Sequence, residues 1–317
     1  MTARGRFAPS PTGELHVGAL RTALLAWLQI RRLGGRFVLR VEDLDPDRSK
    51  QPLAEGQLRS LREIGLDWDE GPVYQSARTA LYDEAVVALE AKGLVYPCFC
   101  SRAEIARASS APHGPADDGP RYPGTCRALS EAERREREAA GRRPALRFRV
   151  REGVVDFADG ILGPIAQDVQ ATVGDFVVRR MDGAYAYQLA AVVDDDAMGM
   201  THVLRGADLA LSTPRQLLIY EALGRPAPRF FHAPLVRGPD GGKLSKRHGP
   251  VGVETLRSLG VPPALVVSEL ARLCGLPERP SPRELIDGFD LSLLPGEEIR
   301  WSPEPLLQRA RGSSSAR

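Results

Sequence analysis

The amino-terminal segment constrains this chain most. It places a short strand at 5–8, then Pro9-Ser10-Pro11-Thr12-Gly13, then an apolar helical period from 17 to 33, then Phe37-Val38-Leu39-Arg40-Val41. Proline fixes φ and glycine admits left-handed turns, so the first break is a tight loop. Leu20, Leu24, Leu25, Trp27, Leu28 and Ile30 recur at helical spacing, and Gly34-Gly35 stops the helix. Strand, loop, helix and strand in this order open a doubly wound α/β sheet. Such sheets bind ligands at the carboxyl ends of their parallel strands. Arg6, beside the first loop, and Glu42, after the second strand, therefore stand where a ligand is expected.

Further along, helices are expected near 50–64, 78–93, 213–223, 253–259 and 262–274, with another starting near Tyr187. Short strands are expected near 145–157 and 175–187, the latter folded by the Asp-Gly signal Asp182-Gly183. Pro239-Asp240-Gly241-Gly242 is a strong turn. Residues 97–128 hold three of the four cysteines and five prolines with little periodicity, so they read as an inserted module. No internal repeat is visible. Forty-three basic residues against 41 acidic ones leave a net charge of +2, so any nucleic-acid surface must be local. No apolar run approaches the roughly 18 residues of a membrane span, and no signal sequence precedes the first strand. A cytoplasmic protein is expected.

Two strings carry the chemistry. Arg6-Phe7-Ala8-Pro9-Ser10-Pro11-Thr12-Gly13-Glu14-Leu15-His16-Val17-Gly18 turns a strand into a helix start. Helix starts bind phosphate through unpaired N–H groups and the dipole. His16 adds a donor, and Gly18 leaves room for a nucleoside. Alone, either residue reads equally well as part of a capped turn. Gly241-Gly242-Lys243-Leu244-Ser245-Lys246-Arg247-His248-Gly249 offers lysines on a glycine-hinged loop. Such lysines can close on the charge that develops as phosphate bonds rearrange, although a basic turn by itself is usually just solvated.

The first string resembles the glutamyl- and glutaminyl-tRNA synthetase form of the class I HIGH motif, with Ala19 replacing its final histidine. The second resembles the class I KMSKS loop, with Leu244 and Arg247 as variants. The resemblance covers about 5–275 and implies a Rossmann-like catalytic domain. It assigns ATP to Pro9, Thr12, Gly13, His16, Gly18, Lys243, Ser245 and Lys246, with His16, Gly18, Lys243 and Lys246 catalytic. It assigns glutamate to Arg6, Ser10, Glu42, Tyr187 and Arg205. Two guanidiniums suit a side-chain carboxylate, and glutamine would leave one partly unpaired. For Glu42 and Arg205 the plain alternative is surface ion pairing, and Tyr185 competes with Tyr187.

Cys98-Phe99-Cys100 and Cys126 suit tetrahedral Zn2+. The fourth ligand is open between Tyr122 and His113, and buried free thiols are the metal-free alternative. Resemblance to the truncated paralogue family of glutamyl-tRNA synthetases, which modify queuosine, selects Tyr122. Cys274 reads as a core residue.

That resemblance implies ATP- and Mg2+-dependent, tRNA-independent activation of L-glutamate. The product passes to queuosine in the anticodon arm of tRNA(Asp), and a structural Zn2+ and a monomer are expected. The anticodon-binding domain of full-length relatives is expected to be lacking. The alternatives are a minimal glutamyl-tRNA synthetase charging tRNA(Glu), a non-catalytic RNA-binding paralogue, and a nucleotidyltransferase for another amino acid. Arg142, Arg143, Arg147, Arg149 and Arg151 are candidate RNA contacts. The expected division is catalytic domain 1–96 and 129–250, zinc module 97–128, helical stem-contact-like region 251–300 and disordered tail 301–317.

Overall fold

A computed structural model describes residues 2–108, 120–244, 248–249 and 251–314. Strand β1 (Arg4–Phe7), helix α1 (Val17–Arg32) and strand β2 (Arg36–Val41) form the opening unit. β1 and β2 pair in parallel, Arg4 opposite Arg36 and Phe7 opposite Leu39. The residues at helical spacing are those α1 buries; Leu20, Leu25, Trp27 and Leu28 are fully enclosed. Helix α2 (Gln51–Glu63) then leads to β3 (Glu70–Tyr74), parallel to β2.

Helix α3 (Thr79–Ala91) precedes β4 (Val95–Cys98), which carries the first cysteine at its end. Short helices α4 (Arg102–Ala108) and α5 (Glu131–Ala139) follow. Strand β5 (Ala145–Phe148) pairs antiparallel with β4. β6 (Val155–Asp159) and β7 (Gly163–Gln167) make a hairpin. After the single turn α6 (Val169–Thr172), β8 (Val177–Arg179) joins β5. The cysteine segment thus hangs from a three-stranded antiparallel sheet.

Helix α7 (Tyr187–Ala197), strand β9 (His202–Gly206), helix α8 (Thr213–Leu223) and strand β10 (Arg229–Ala233) complete the second half. β9 and β10 are parallel. β9 runs beside β1, where Thr201 N donates to Arg4 O at 3.0 Å. Residues after β1, β2, β9 and β10 therefore share one end of the parallel strands. One apolar core packs α1 against the carboxyl-terminal helices, and a second packs α3, α7 and α8 behind β9 and β10. No helix of the described residues is long and apolar enough to cross a membrane.

The chain ends in β11 (Val236–Arg237), α9 (Val253–Ser258), α10 (Pro263–Leu273), β12 (Ile299–Arg300) and α11 (Glu304–Ser314). The disordered tail expected at 301–317 is corrected for the described residues 301–314. Trp301, Leu306 and Ala310 are buried against the α1 core. β12 pairs with β11, and Trp301 Nε1 donates to the buried Glu269 carboxylate at 2.8 Å. Arginine, serine and glycine dominate the end of the segment by count, but the sparse apolar positions share one helix face and outweigh them.

Leu306→Ala is expected to lower the free energy of unfolding by about 2–4 kcal/mol in a urea titration. An unchanged midpoint would mean that this helix does not dock.

Candidate active site

His16 caps α1. Its Nδ1 accepts the Ala19 N–H at 3.1 Å. Burial and the neighbouring Lys243 charge lower the pKa of His16, against the pull of Asp208. The ring is therefore neutral at pH 7, and with Nδ1 accepting, Nε2 carries the proton at the mouth of the helix. A Cβ on Gly18 would sit 3.1 Å from His16 Nδ1 and 3.4 Å from Val236 Cβ, so this glycine makes room for the imidazole itself. The 9–13 loop is pinned from behind. The buried Gln57 amide donates to Ser10 O at 3.1 Å and Gly13 O at 2.7 Å, and Glu42 N donates to Pro9 O at 3.0 Å. Thr12 and Ser10 are exposed.

The second loop comes to the first because the chain just beyond it is stitched to the first motif. Val17 N donates to Val251 O at 2.9 Å, and His16 bridges Gly252. The Glu14 carboxylate accepts from Thr255 N at 2.7 Å and Oγ1 at 2.9 Å. A turn at 238–242, with Gly241 at φ 77°, sends the chain back so that Lys243 bridges Arg237. Lys243 is exposed and close enough to act electrostatically on His16. His248 Nε2 lies 3.1 Å from Asp240 Oδ1 across the loop. Ser245 and Lys246 lie outside the described residues.

At the strand ends, charges are buried and mostly paired. Asp195 takes Arg6 Nε at 3.1 Å and Arg40 Nη1 at 2.6 Å. Burial pushes its carboxyl up, but Arg6 and Arg40 reverse this and hold it below the usual range. Arg40 also reaches Glu42 at 3.1 Å. Glu42 stays raised because its burial outweighs Arg40 and Arg6. Asp194 on the same helix takes Arg78 and Gln75.

Arg205 differs. It is 4% exposed, and its partners are neutral: Tyr187 Oη at 3.1 Å, Thr213 Oγ1 and Gln216 Oε1 each at 2.8 Å, and His232 Nε2 at 3.0 Å. Arg6 Nη1 reaches the carbonyl of the adjacent Leu204 at 3.4 Å. The Tyr220 hydroxyl, buried with no hydrogen-bond partner, feels Asp195, Arg6, Arg40 and Arg205 together.

The structure thus gathers Arg6, Glu42, Tyr187 and Arg205. Tyr185 instead turns to Asp83 and Tyr82. Among the described residues the Ser10 hydroxyl has no hydrogen-bond partner. Sequence reading missed Arg40, Asp194, Asp195, Gln57, Tyr220, Asp159 and His232. Three consecutive aspartates in an apolar helix were a usable signal for Asp194 and Asp195. Nothing local distinguishes Gln57 or Asp159.

Three thiols form the other cluster. Cys98, Cys100 and Cys126 Sγ lie within 4.8 Å of one another. Tetrahedral Zn–S bonds of about 2.3 Å require S···S separations of about 3.8 Å, so the set fits with little movement. Tyr122 Oη lies 3.3 Å from Cys98 Sγ and accepts Cys126 N–H at 2.8 Å. Hydrogen bonding to Cys126 and Tyr122, with the Arg147 charge, outweighs burial and pulls Cys98 down to about 5. Cys100 and Cys126 are pushed up by their neighbours and burial. The cluster therefore holds one thiolate readily, as a metal ligand set needs. His113 lies outside the described residues. Cys274 is fully buried in the core, as expected.

The arginines singled out for RNA are largely engaged. Arg147 stacks on Tyr122 at 3.8 Å and donates to Asp175 O. Arg149 covers Tyr96 at 4.5 Å. Arg151 and Arg142 pair with Glu221 and Glu104. Arg143 is exposed.

Residues 2–291 match the family described as tRNA synthetases class I (E and Q), catalytic domain. A protein of Symbiobacterium thermophilum named Glutamyl-Q tRNA(Asp) synthetase is 52% identical, across 98% of this chain and 99% of that protein. A glutamate–tRNA ligase of a Synechococcus strain is 48% identical across 86% of this chain but 57% of its own length. The crystal structure of a glutamate tRNA ligase from Elizabethkingia meningosepticum, in complex with its amino acid, superposes with a TM-score of 0.85 at 29% identity. That alignment spans 100% of this chain and 70% of the other.

Asp195→Asn leaves two buried guanidiniums undercompensated and is expected to cost about 3–5 kcal/mol of stability. Urea titration at neutral pH measures it; an unaltered midpoint would contradict the pairing.

Proposed function

The chain belongs to the class I tRNA synthetases of the glutamate and glutamine type, and from that premise we propose that it activates L-glutamate with ATP and transfers it to queuosine in the anticodon of tRNA(Asp). One observation carries the choice of amino acid. Arg205 is a buried guanidinium whose hydrogen-bond partners are all neutral, while Arg6 and Arg40 share Asp195. A buried, uncompensated cation is costly, and a ligand carboxylate removes the cost. Glutamate supplies one in its side chain; glutamine supplies a neutral amide there. Glu42 faces the α-ammonium, with Ser10 and Tyr187 completing the contacts. The near-complete mutual coverage with the Symbiobacterium protein, against the longer glutamate ligases, supports the queuosine acceptor over tRNA(Glu).

In the first step a glutamate α-carboxylate oxygen attacks the α-phosphorus, and the bond to the departing pyrophosphate breaks. The reaction needs no protein nucleophile, so positioning and charge carry the rate. His16 Nε2–H and the backbone around Pro9, Thr12 and Gly13 hold phosphate oxygens, and Gly18 admits the nucleoside. Lys243, Ser245 and Lys246 close on the charge of the leaving group. Class I synthetases use Mg2+ with ATP, where it neutralises phosphate charge. In the second step a hydroxyl of the queuosine cyclopentene-diol attacks the acyl carbon and AMP leaves. Cys98, Cys100, Cys126 and Tyr122 would hold a structural Zn2+, which would supply no chemistry to either step, and these four residues would tie the segment after β4 to that sheet. The work divides between a catalytic domain (1–96 and 129–250), this zinc module (97–128) and a helical region from 251 that braces the second loop.

Glutamate-dependent ATP–pyrophosphate exchange without tRNA is expected. Arg205→Met should reduce kcat/KM for glutamate by about 100-fold or more, and exchange supported equally by glutamine would refute the Arg205 argument. Transfer should occur to queuosine-containing tRNA(Asp). Charging of tRNA(Glu) alone would establish the minimal-ligase alternative instead.

A further inference from the structure

Beneath Arg205 lies a buried pair that the reaction described above does not use. Asp159 ends β6 and His232 lies on β10; both are closed to solvent, with His232 at 0% exposure. His232 Nδ1 is 2.6 Å from Asp159 Oδ2. His232 Nε2 is 3.0 Å from Arg205 Nε and 3.2 Å from Thr213 Oγ1. We propose that Asp159 and His232 are positioning residues that set the orientation of Arg205 towards the glutamate side-chain carboxylate, by locking the imidazole in the Nδ1–H tautomer. This rests on Arg205 being the glutamate-binding guanidinium.

The geometry permits one consistent proton arrangement. Arg205 Nε–H is always a donor, so His232 Nε2 must accept and carries no proton. The imidazole proton then sits on Nδ1 and points at a carboxylate that only accepts. Asp159 is held ionised, because hydrogen bonds from His232, Leu162 N and Ile161 N overcome its burial. Burial, with Arg205 nearby, keeps His232 neutral despite Asp159. The ring lies parallel to Phe230, whose face also carries the Arg205 guanidinium at 5.4 Å. Phe157 meets the ring edge-on, so the imidazole cannot turn. Arg205 is thereby fixed at Nε by His232, at Nη2 by Thr213 and Gln216, and at Nη1 by Tyr187. A carboxylate in direct contact would have cancelled the charge that the ligand needs.

Asp159 Oδ1 also accepts from Ile161 N at 2.9 Å, Leu162 N at 2.8 Å and His232 N at 3.1 Å, so it pins the β6–β7 turn to β10. Tests therefore centre on His232. In glutamate-dependent exchange, His232→Leu should raise KM for glutamate about 10- to 100-fold, as expected when a buried charged donor loses its acceptor. KM for ATP should change less than about twofold, and His232→Gln, which returns an acceptor near Arg205 Nε, should recover most of the loss. His232→Asn is too short to do so and should behave like His232→Leu. Circular-dichroism melting separates these effects from unfolding.

The idea is overturned if KM for glutamate is unchanged in folded His232→Leu. It is equally overturned if glutamine and leucine are equally damaging, or if ATP and glutamate KM rise together. A measurement on the unaltered protein is independent of variant folding: 15N-histidine NMR should show His232 protonated at Nδ1, and an Nε2–H signal sinks the proposal. Absence of glutamate-dependent exchange in the unaltered protein overturns the glutamate reading itself, and is thereby told apart from failure of this inference.

Discussion

Asp195 bonds two buried guanidiniums, Arg6 from β1 and Arg40 from β2, and this pairing organises the cleft. Each charge taken from water carries a penalty of several kcal/mol that only good geometry repays. The carboxylate sits on α7, so the strands and that helix can assemble only in the arrangement that brings the three groups together. Asp194, one residue earlier, repeats the device with Arg78, Gln75 and Tyr82. Together they bind the first half of the chain to the second across the carboxyl ends of the parallel strands.

Against that neutralised background Arg205 stands out. Its neighbours satisfy its hydrogens without cancelling its charge, and the carboxylate of Asp159 meets the far nitrogen of the imidazole that accepts from it. The same cleft therefore contains guanidiniums of two kinds. Arg6 and Arg40 are paired with Asp195, whereas Arg205 is hydrogen-bonded only by neutral groups. The nucleotide side is built differently, from a capped helix start and a basic loop. Its two halves are held in register by backbone bonds between 15–17 and 251–253 and by Glu14.

The opening strand–loop–helix–strand unit was legible because local rules dominate there. Proline, glycine and the helical apolar period each act within a few residues. The helices near 187 and 213–223 were readable for the same reason. The thiols were legible by spacing, and the resemblance pointed to Arg6 and Arg205, which the fold brings into one cleft. Asp159, His232 and Gln57 were not, since each matters through a partner far away in the chain and resembles an ordinary core or turn residue locally. The carboxyl-terminal helix was misread because its composition is polar, and only its docking on α10 and the core around it shows that the few apolar side chains suffice.

The sequence by itself determined the fold class, the two motif strings and the inventory of charged groups, because periodicity, turn chemistry and residue type are short-range properties. Tertiary structure decided which charges cancel. Burial makes pairing compulsory, and pairing depends on three-dimensional distance. Whether a guanidinium ends neutralised by a carboxylate, like Arg40, or among neutral partners, like Arg205, is therefore settled only when strands and helices from opposite halves of the chain meet.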